Sequence, residues 1–302
     1  MTGSIITEVL LPLALAFIMF GMGLSLTRFD FLRLWQTPAP IVAGFVGQII
    51  ALPLLAFGIC VAMDLSTPMA VGLMILAACP GGTTSNVVSH LAKANLALSV
   101  SLTAISSIVC VLTAPFVIQF SLSHFANSAN GAPIDVSLSS ISLGLLVITL
   151  LPIVFGMLAR SYFRDWAIKV EVYFRRFALV FLLLMIIGVV IKEHAIIVEA
   201  FNEVFIACLL LNFGAMFIGV ISAKLLALSH KDTLTLAIEI GLQNSTMAML
   251  ICISLLQAPS YAVVAGVYSL TMYAGAGLLI AYASYIRSDK HTAVQAQTRD
   301  SR

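Results

Sequence analysis

The fold class this sequence predicts is an all-α polytopic membrane protein with nine transmembrane helices in inverted repeats, and three observations carry that expectation. First, 61% of the 302 residues are apolar and only 9% are charged, where a soluble domain devotes about a quarter of its residues to charge. A soluble enzyme is excluded. Second, the apolar residues gather into nine runs, each near the roughly 20 residues that a bilayer-spanning helix needs. Third, fourteen of the fifteen lysines and arginines fall in alternate connections on one side, and Lys192 stands alone on the other. Cytoplasmic loops retain basic residues, so the N-terminus is expected outside and the C-terminus in the cytoplasm. Because fifteen basic residues nearly cancel thirteen acidic ones, no basic stripe is available for nucleic acid, and the lipid bilayer is the expected surroundings.

The elements follow in order. The expected spans are 5–27, 39–63, 68–91, 95–121, 137–160, 172–191, 200–227, 232–257 and 261–286, forming one transporter unit over 1–287, with a polar cytoplasmic tail over 288–302. The opening stretch, Met1 to Glu8, lacks a basic n-region and a small-residue cleavage site, and the run after it is too long for a signal peptide, so it reads as the first span. In the third span, Val71-Gly-Leu-Met-Ile-Leu-Ala-Ala-Cys-Pro80 gives way to Gly81-Gly-Thr-Thr-Ser-Asn86. Proline removes a donor and glycines favour non-helical dihedrals, so an unwound stretch is expected there, with a plain proline kink as the alternative. Unwound backbone at membrane depth survives only when buried in protein or lining a polar cavity. The fourth span carries Ser99, Thr103 and Ser106 along one face, as a polar stripe or as helix-packing hydroxyls. The five cysteines lie in apolar runs without metal-ligand or disulfide spacing and read as core- or lipid-facing.

The eighth span holds the residue that most needs explaining. Glu239 follows Asp232 by seven residues, within an apolar stretch. A carboxylate at that depth costs roughly 2.5–3.5 kcal/mol on insertion scales, so it reads as functional unless the helix starts later. Around it, Glu239-Ile-Gly-Leu-Gln-Asn-Ser-Thr246 forms a second interruption. The two interruptions correspond if the chain is two five-span repeats whose first copy lacks its opening helix. Paired broken helices in inverted repeats mark the midplane site of a secondary transporter.

Glu239 and Gln243 share one helical face, as do Ser99 and Thr103, and all are oxygen donors. Oxygen ligands without a His or Cys cluster suit a small hard cation, and sodium fits. One or two sodium ions around a single carboxylate leave the site neutral or positive, which welcomes an anion, as do helix N-termini at the breaks.

At these residues the chain resembles the bile acid:sodium symporter family, over essentially its whole length. The matching stretches are Phe20-Gly-Met-Gly-Leu24, Cys79-Pro-Gly-Gly-Thr-Thr-Ser-Asn86, Leu91-Ala-Lys-Ala-Asn-Leu-Ala-Leu-Ser99 and Glu239-Ile-Gly-Leu-Gln-Asn244. The resemblance implies a core domain with two crossed broken helices beside a panel domain. It implies one sodium held by Ser85, Asn86, Ser99, Thr103 and Glu239, and a second held by Gln48, Glu239, Gln243 and the backbone carbonyls of Ile240 and Leu242. It places substrate near the crossing, at Thr83 and Asn244. Family cargoes include bile acids, pyruvate, pantoate and ketopantoate. The short loops resemble bacterial members, which implies a small carboxylate cargo and the bacterial inner, cytoplasmic membrane.

The function expected is therefore sodium-coupled import of a small organic anion by alternating access, with no obligate protein partner. Proton coupling through Glu239 on the same fold, or a channel, is the alternative. An intramembrane enzyme is not expected, because His90, His194, His230 and His291 fall in loops or tail and His124 at the outer end of the fourth span.

Overall fold

The computed structural model describes residues 9–126 and 138–300. The beginning of the first expected span, the connection over 127–137 and the last two residues lie outside the described residues. Within them the chain is helical: α1 (Leu11–Ser25), α2 (Arg28–Gln36), α3 (Pro38–Ala62), α4 (Thr67–Ala78), α5 (Thr83–Leu91), α6 (Leu96–Phe125), α7 (Ile141–Tyr162), α8 (Arg164–Lys192), α9 (His194–Leu225), α10 (His230–Gly241), α11 (Ser245–Leu255) and α12 (Ala262–Asp300). Among the described residues six helices are long and apolar enough to cross a membrane, in α3, α6, α7, α8, α9 and α12, and three shorter apolar helices accompany them, α1, α4 and α11.

The short ones α4 and α11 are short because the third and eighth expected spans are each divided, into α4 and α5 and into α10 and α11. Three of the long helices widen for a turn, at Gly47–Ala51, Leu122–Ala126 and Leu146–Leu150. The first and third lie just before a proline, Pro53 or Pro152, whose missing N–H and bulky ring disfavour α geometry in the preceding turn. The first of them contains Gln48, which is buried.

Several boundaries differ from the sequence reading, and α9 begins at His194 rather than at 200. Residues 28–36, expected to be a connection, form α2, started by a cap in which the Asp30 carboxylate accepts from the Thr27 backbone N–H at 2.7 Å and the Thr27 hydroxyl at 2.8 Å. Helix α8 begins at Arg164 rather than near 172, because nothing in Arg164–Val172 breaks a helix and Glu171 pairs with Arg175 one turn on. Helix α12 continues along the polar tail to Asp300.

Packing sorts the helices. Every residue from Met69 to Ala78 on α4 is buried, the mark of a helix surrounded by others. Leu54, Leu112, Phe116, Leu184, Ile191 and Phe217 are instead among many large apolar side chains left exposed, a surface suited to lipid. Helix α1 packs on α7 and α8, and α9 packs along α10 and α12. The first of these contacts is backbone to backbone: a Cβ on Gly23 would lie 3.0 Å from the Gly156 Cα. That close approach explains Gly23, while Gly21 makes room for the Phe174 side chain of α8, whose Cβ would lie 2.4 Å from a Cβ there. All five cysteines are free and buried.

Candidate functional site

The two interruptions meet. Cys79 and Gly82 on one side, and Leu242 on the other, have extended backbones. Gly81 and Gln243 pair as a short antiparallel bridge. The Asn244 N–H donates to the Pro80 carbonyl at 2.9 Å, and the Gly82 N–H to the Leu242 carbonyl at 3.4 Å. Each unwound stretch thus hydrogen-bonds the other, which is how polar backbone persists where no water competes. A proline kink alone is ruled out. The Asn244 side chain also accepts from the Met247 N–H at 3.0 Å and caps α11.

Glu239, 2% exposed, points its carboxylate into a ring of hydroxyls. Oε2 accepts from Ser85 Oγ and from Ser99 Oγ, both at 2.8 Å, and Oε1 accepts from Thr103 Oγ1. The Asn86 Oδ1 lies 2.9 Å from Ser99 Oγ. Ser85, Asn86, Ser99, Thr103 and Glu239 therefore converge from three helices, α5, α6 and α10. Each hydroxyl has one proton, yet Ser85 also reaches the Gly82 carbonyl at 2.7 Å and Thr103 the Ser99 carbonyl at 3.0 Å. Lone pairs outnumber protons here, the donor set a small hard cation prefers. Among the described residues no lysine or arginine pairs with Glu239, so its charge lacks the fixed partner that a buried carboxylate requires.

The residues expected at a second ion lie beside it. Gln48 Nε2 donates to Gln243 Oε1 at 2.7 Å and to the Cys79 carbonyl at 3.0 Å. Gln243 Nε2 donates to the Ile240 carbonyl at 2.7 Å. Gln48, Gln243 and Ile240 are thus brought together, while the Leu242 carbonyl serves the bridge between the breaks. Glu239 makes its side-chain bonds to the hydroxyl ring and not to Gln48 or Gln243.

Thr83 and Asn244 line a cavity of about 680 Å³. Its walls are mostly apolar and come from α1, α5, α8, α11 and α12, among them Met19, Val87, Leu182 and Met272.

The contributions of five residues escaped the sequence reading. Gly81 has no positive φ; its role is space, since a Cβ there would lie 2.5 Å from Glu239 Oε1. Asn212 Nδ2 and Tyr268 Oη both donate at 2.7 Å to the Gly241 carbonyl and tether the second break. Arg175 and Arg176, read as loop residues, sit on α8 and line the cavity. Only Asn212, a mid-span amide like Gln48, offered a signal, and nothing in the sequence said what it faced.

Broken helices bridged at depth around a buried carboxylate define a polytopic membrane transport protein. The profile of the Sodium Bile acid symporter family matches residues 12–200, and the chain belongs to that family. It is a membrane transporter and not an enzyme. Among its relatives, an "Uncharacterized sodium-dependent transporter YocS" of Bacillus subtilis is 32% identical over 231 residues, 76% of this chain and 70% of that protein. A "Probable sodium/metabolite cotransporter BASS2, chloroplastic" of Oryza sativa subsp. japonica is 27% identical over 273 residues, 90% of this chain but 63% of the rice protein's own length. The "Ileal sodium/bile acid cotransporter" of Homo sapiens is 25% identical over 248 residues, 81% of this chain and 69% of the human one. The profile match ends before α10, so Glu239 stands on geometry.

Proposed function

We propose that the protein is a sodium-coupled symporter that imports a small organic anion, such as pantoate, ketopantoate, pyruvate or a bile-acid-like acid, across a bacterial cytoplasmic membrane. The observation that carries this reading is the buried Glu239 carboxylate, without a fixed cation, inside an excess of oxygen donors. Sodium completes that ring, held by Ser85, Asn86, Ser99, Thr103 and Glu239. A second sodium takes Gln48, Glu239, Gln243 and the carbonyls of Ile240 and Leu242, after the Gln48 and Gln243 amides exchange their mutual hydrogen bond for the ion. The ring therefore fills first.

Nine spans in inverted repeats, with the N-terminus outside and the C-terminus cytoplasmic, account for the alternating basic connections and the two paired breaks. In that layout α1, α7 and α8 form a panel, and the helices around the crossing form a core. The cavity between them, with Thr83 and Asn244 in its wall, holds the anion, and rocking of core against panel exposes it to each side in turn. Inward sodium supplies about 2.3 kcal/mol per net charge per 100 mV, enough to concentrate an anion when ions outnumber its charge.

The test is thermal stability of the purified full-length protein in sodium against potassium. Sodium is expected to stabilise the wild type, and Glu239→Gln to abolish the difference. Equal stability in both salts would defeat the sodium sites and hand Glu239 to a proton or the protein to the channels.

A further inference from the structure

The cavity has a polar floor, an apolar shaft and a cationic rim. Its floor includes Gln243 and Ser245, 1% and 2% exposed, and the Ser245 hydroxyl has no hydrogen-bond partner among the described residues. Thr83 and Thr84 border the same region at the start of α5, which no side chain caps. The wall then follows α5 from Thr83 to Leu91, eight residues and about 12 Å of helix. On the facing side it follows α8 from the buried Leu182 to the exposed Arg176 and Arg175, about 9 Å of helix.

Arg175 and Arg176 are the charged residues of this lining, and no carboxylate joins them there. Arg175 is held loosely by Glu171, at 3.7 Å with the arginine about half exposed, a contact of little worth. Arg176 makes no ion pair among the described residues. A basic residue near a cytoplasmic helix end can serve topology alone. Two guanidiniums at the end of an apolar shaft do more, because a guanidinium binds a carboxylate or sulfonate through two parallel hydrogen bonds.

We propose that Arg175 and Arg176 form an anion-reading rim. The cargo they select is an elongated amphipathic anion, its charged end at the arginines, its apolar body along the shaft and a hydroxyl or carbonyl at its far end on the floor. The inference rests on the transport reading above and names the cargo's shape and the residues that read its charge. This narrows the transport reading to its longer acids: a short acid such as pyruvate or pantoate meets either the rim or the floor but not both, so it binds less well.

The experiment uses full-length protein in lipid nanodiscs and three probes: glycolate, ω-hydroxydodecanoate and ω-hydroxydodecanamide. Thermal stabilisation is titrated in sodium for the wild type, Arg175→Gln, Arg176→Gln and Arg176→Lys. ω-Hydroxydodecanoate is expected to add stability to the wild type at lower concentration than glycolate or the amide. Arg176→Gln should raise its half-saturating concentration about tenfold or more, the loss of one charge-assisted contact, and leave the amide's unchanged. Arg176→Lys should recover part of the binding, keeping the charge without the bidentate fork. Equal half-saturation in wild type and both Gln variants overturns the rim, and equal or better binding of glycolate overturns the elongated cargo. Failure of all three probes on a sodium-stabilised wild type overturns both. Sodium stabilisation is measured separately without any probe, so its absence strikes the coupling and not the rim, which is then read in potassium.

Discussion

A single hydrogen at Gly81 makes room for the Glu239 carboxylate, and that gives a sharp test at residue scale. Gly81→Ala places a methyl 2.5 Å from Oε1, so the carboxylate must move out of its hydroxyl ring. The expected result is at least a tenfold rise in the sodium concentration that half-stabilises the protein, about 1.4 kcal/mol. Gly82→Ala meets nothing closer than Thr84 Oγ1 at 3.3 Å and should shift the same titration far less. The Gly241 carbonyl offers a second test, because it accepts from both Asn212 and Tyr268. Tyr268→Phe leaves one donor in place and should cost about 1 kcal/mol. Tyr268→Phe with Asn212→Leu strands a buried carbonyl, and its loss of thermal stability should exceed the sum of the single losses, a coupling that a double-mutant cycle measures.

At the scale of elements, the chain positions its site by tying helix ends to one another. Asn95 caps α6 through the Leu98 N–H at 3.2 Å, and its amide donates to Asp232 Oδ1 at 2.8 Å on the first turn of α10. The helices bearing Ser99 and Glu239 are thereby fixed in register within a few residues of the ring. On the other side of the molecule, α1 touches α7 through Gly23 and Gly156. Gly23→Leu should prevent that contact and sharply reduce the yield of folded protein in detergent. Gly58→Ala, where a Cβ would meet nothing within 4 Å, should be neutral or slightly stabilising, as expected of alanine in a helix interior. Size-exclusion profiles of the two variants make the comparison.

Taking the molecule as a whole, the cavity lies between α1 and α8 on one side and α5, α11 and α12 on the other, so motion across it changes who can reach it. Thr84 lines it, and the five native cysteines are buried. Thr84→Cys should therefore react with a membrane-impermeant maleimide against a low background, and from the cytoplasmic face of oriented vesicles. Reaction from the outer face alone would reverse the orientation drawn from the basic connections. The exposed leucines and phenylalanines of α3, α6, α8 and α9 form the belt that keeps this assembly in lipid, where their exposure carries no hydrophobic cost.

Membrane residence was legible from composition, because a bilayer selects long apolar runs one segment at a time and needs no knowledge of packing. The breaks were legible too: proline, glycine and a carboxylate at depth are local violations of what hydrocarbon tolerates. Glu239, Ser99 and Thr103 were legible as oxygen donors from depth and spacing, their grouping with Ser85 and Asn86 came through motif likeness, and Gln48 by likeness alone, since a lone amide in an apolar helix carries no address. What only the tertiary structure decided is how the two interruptions pair through their backbones, why Gly81 must lack a side chain, what Asn212 and Tyr268 hold, and that Arg175 and Arg176 face a cavity. Those facts depend on which helices meet and at what height, and contacts between residues 27 or more positions apart leave no trace in local spacing.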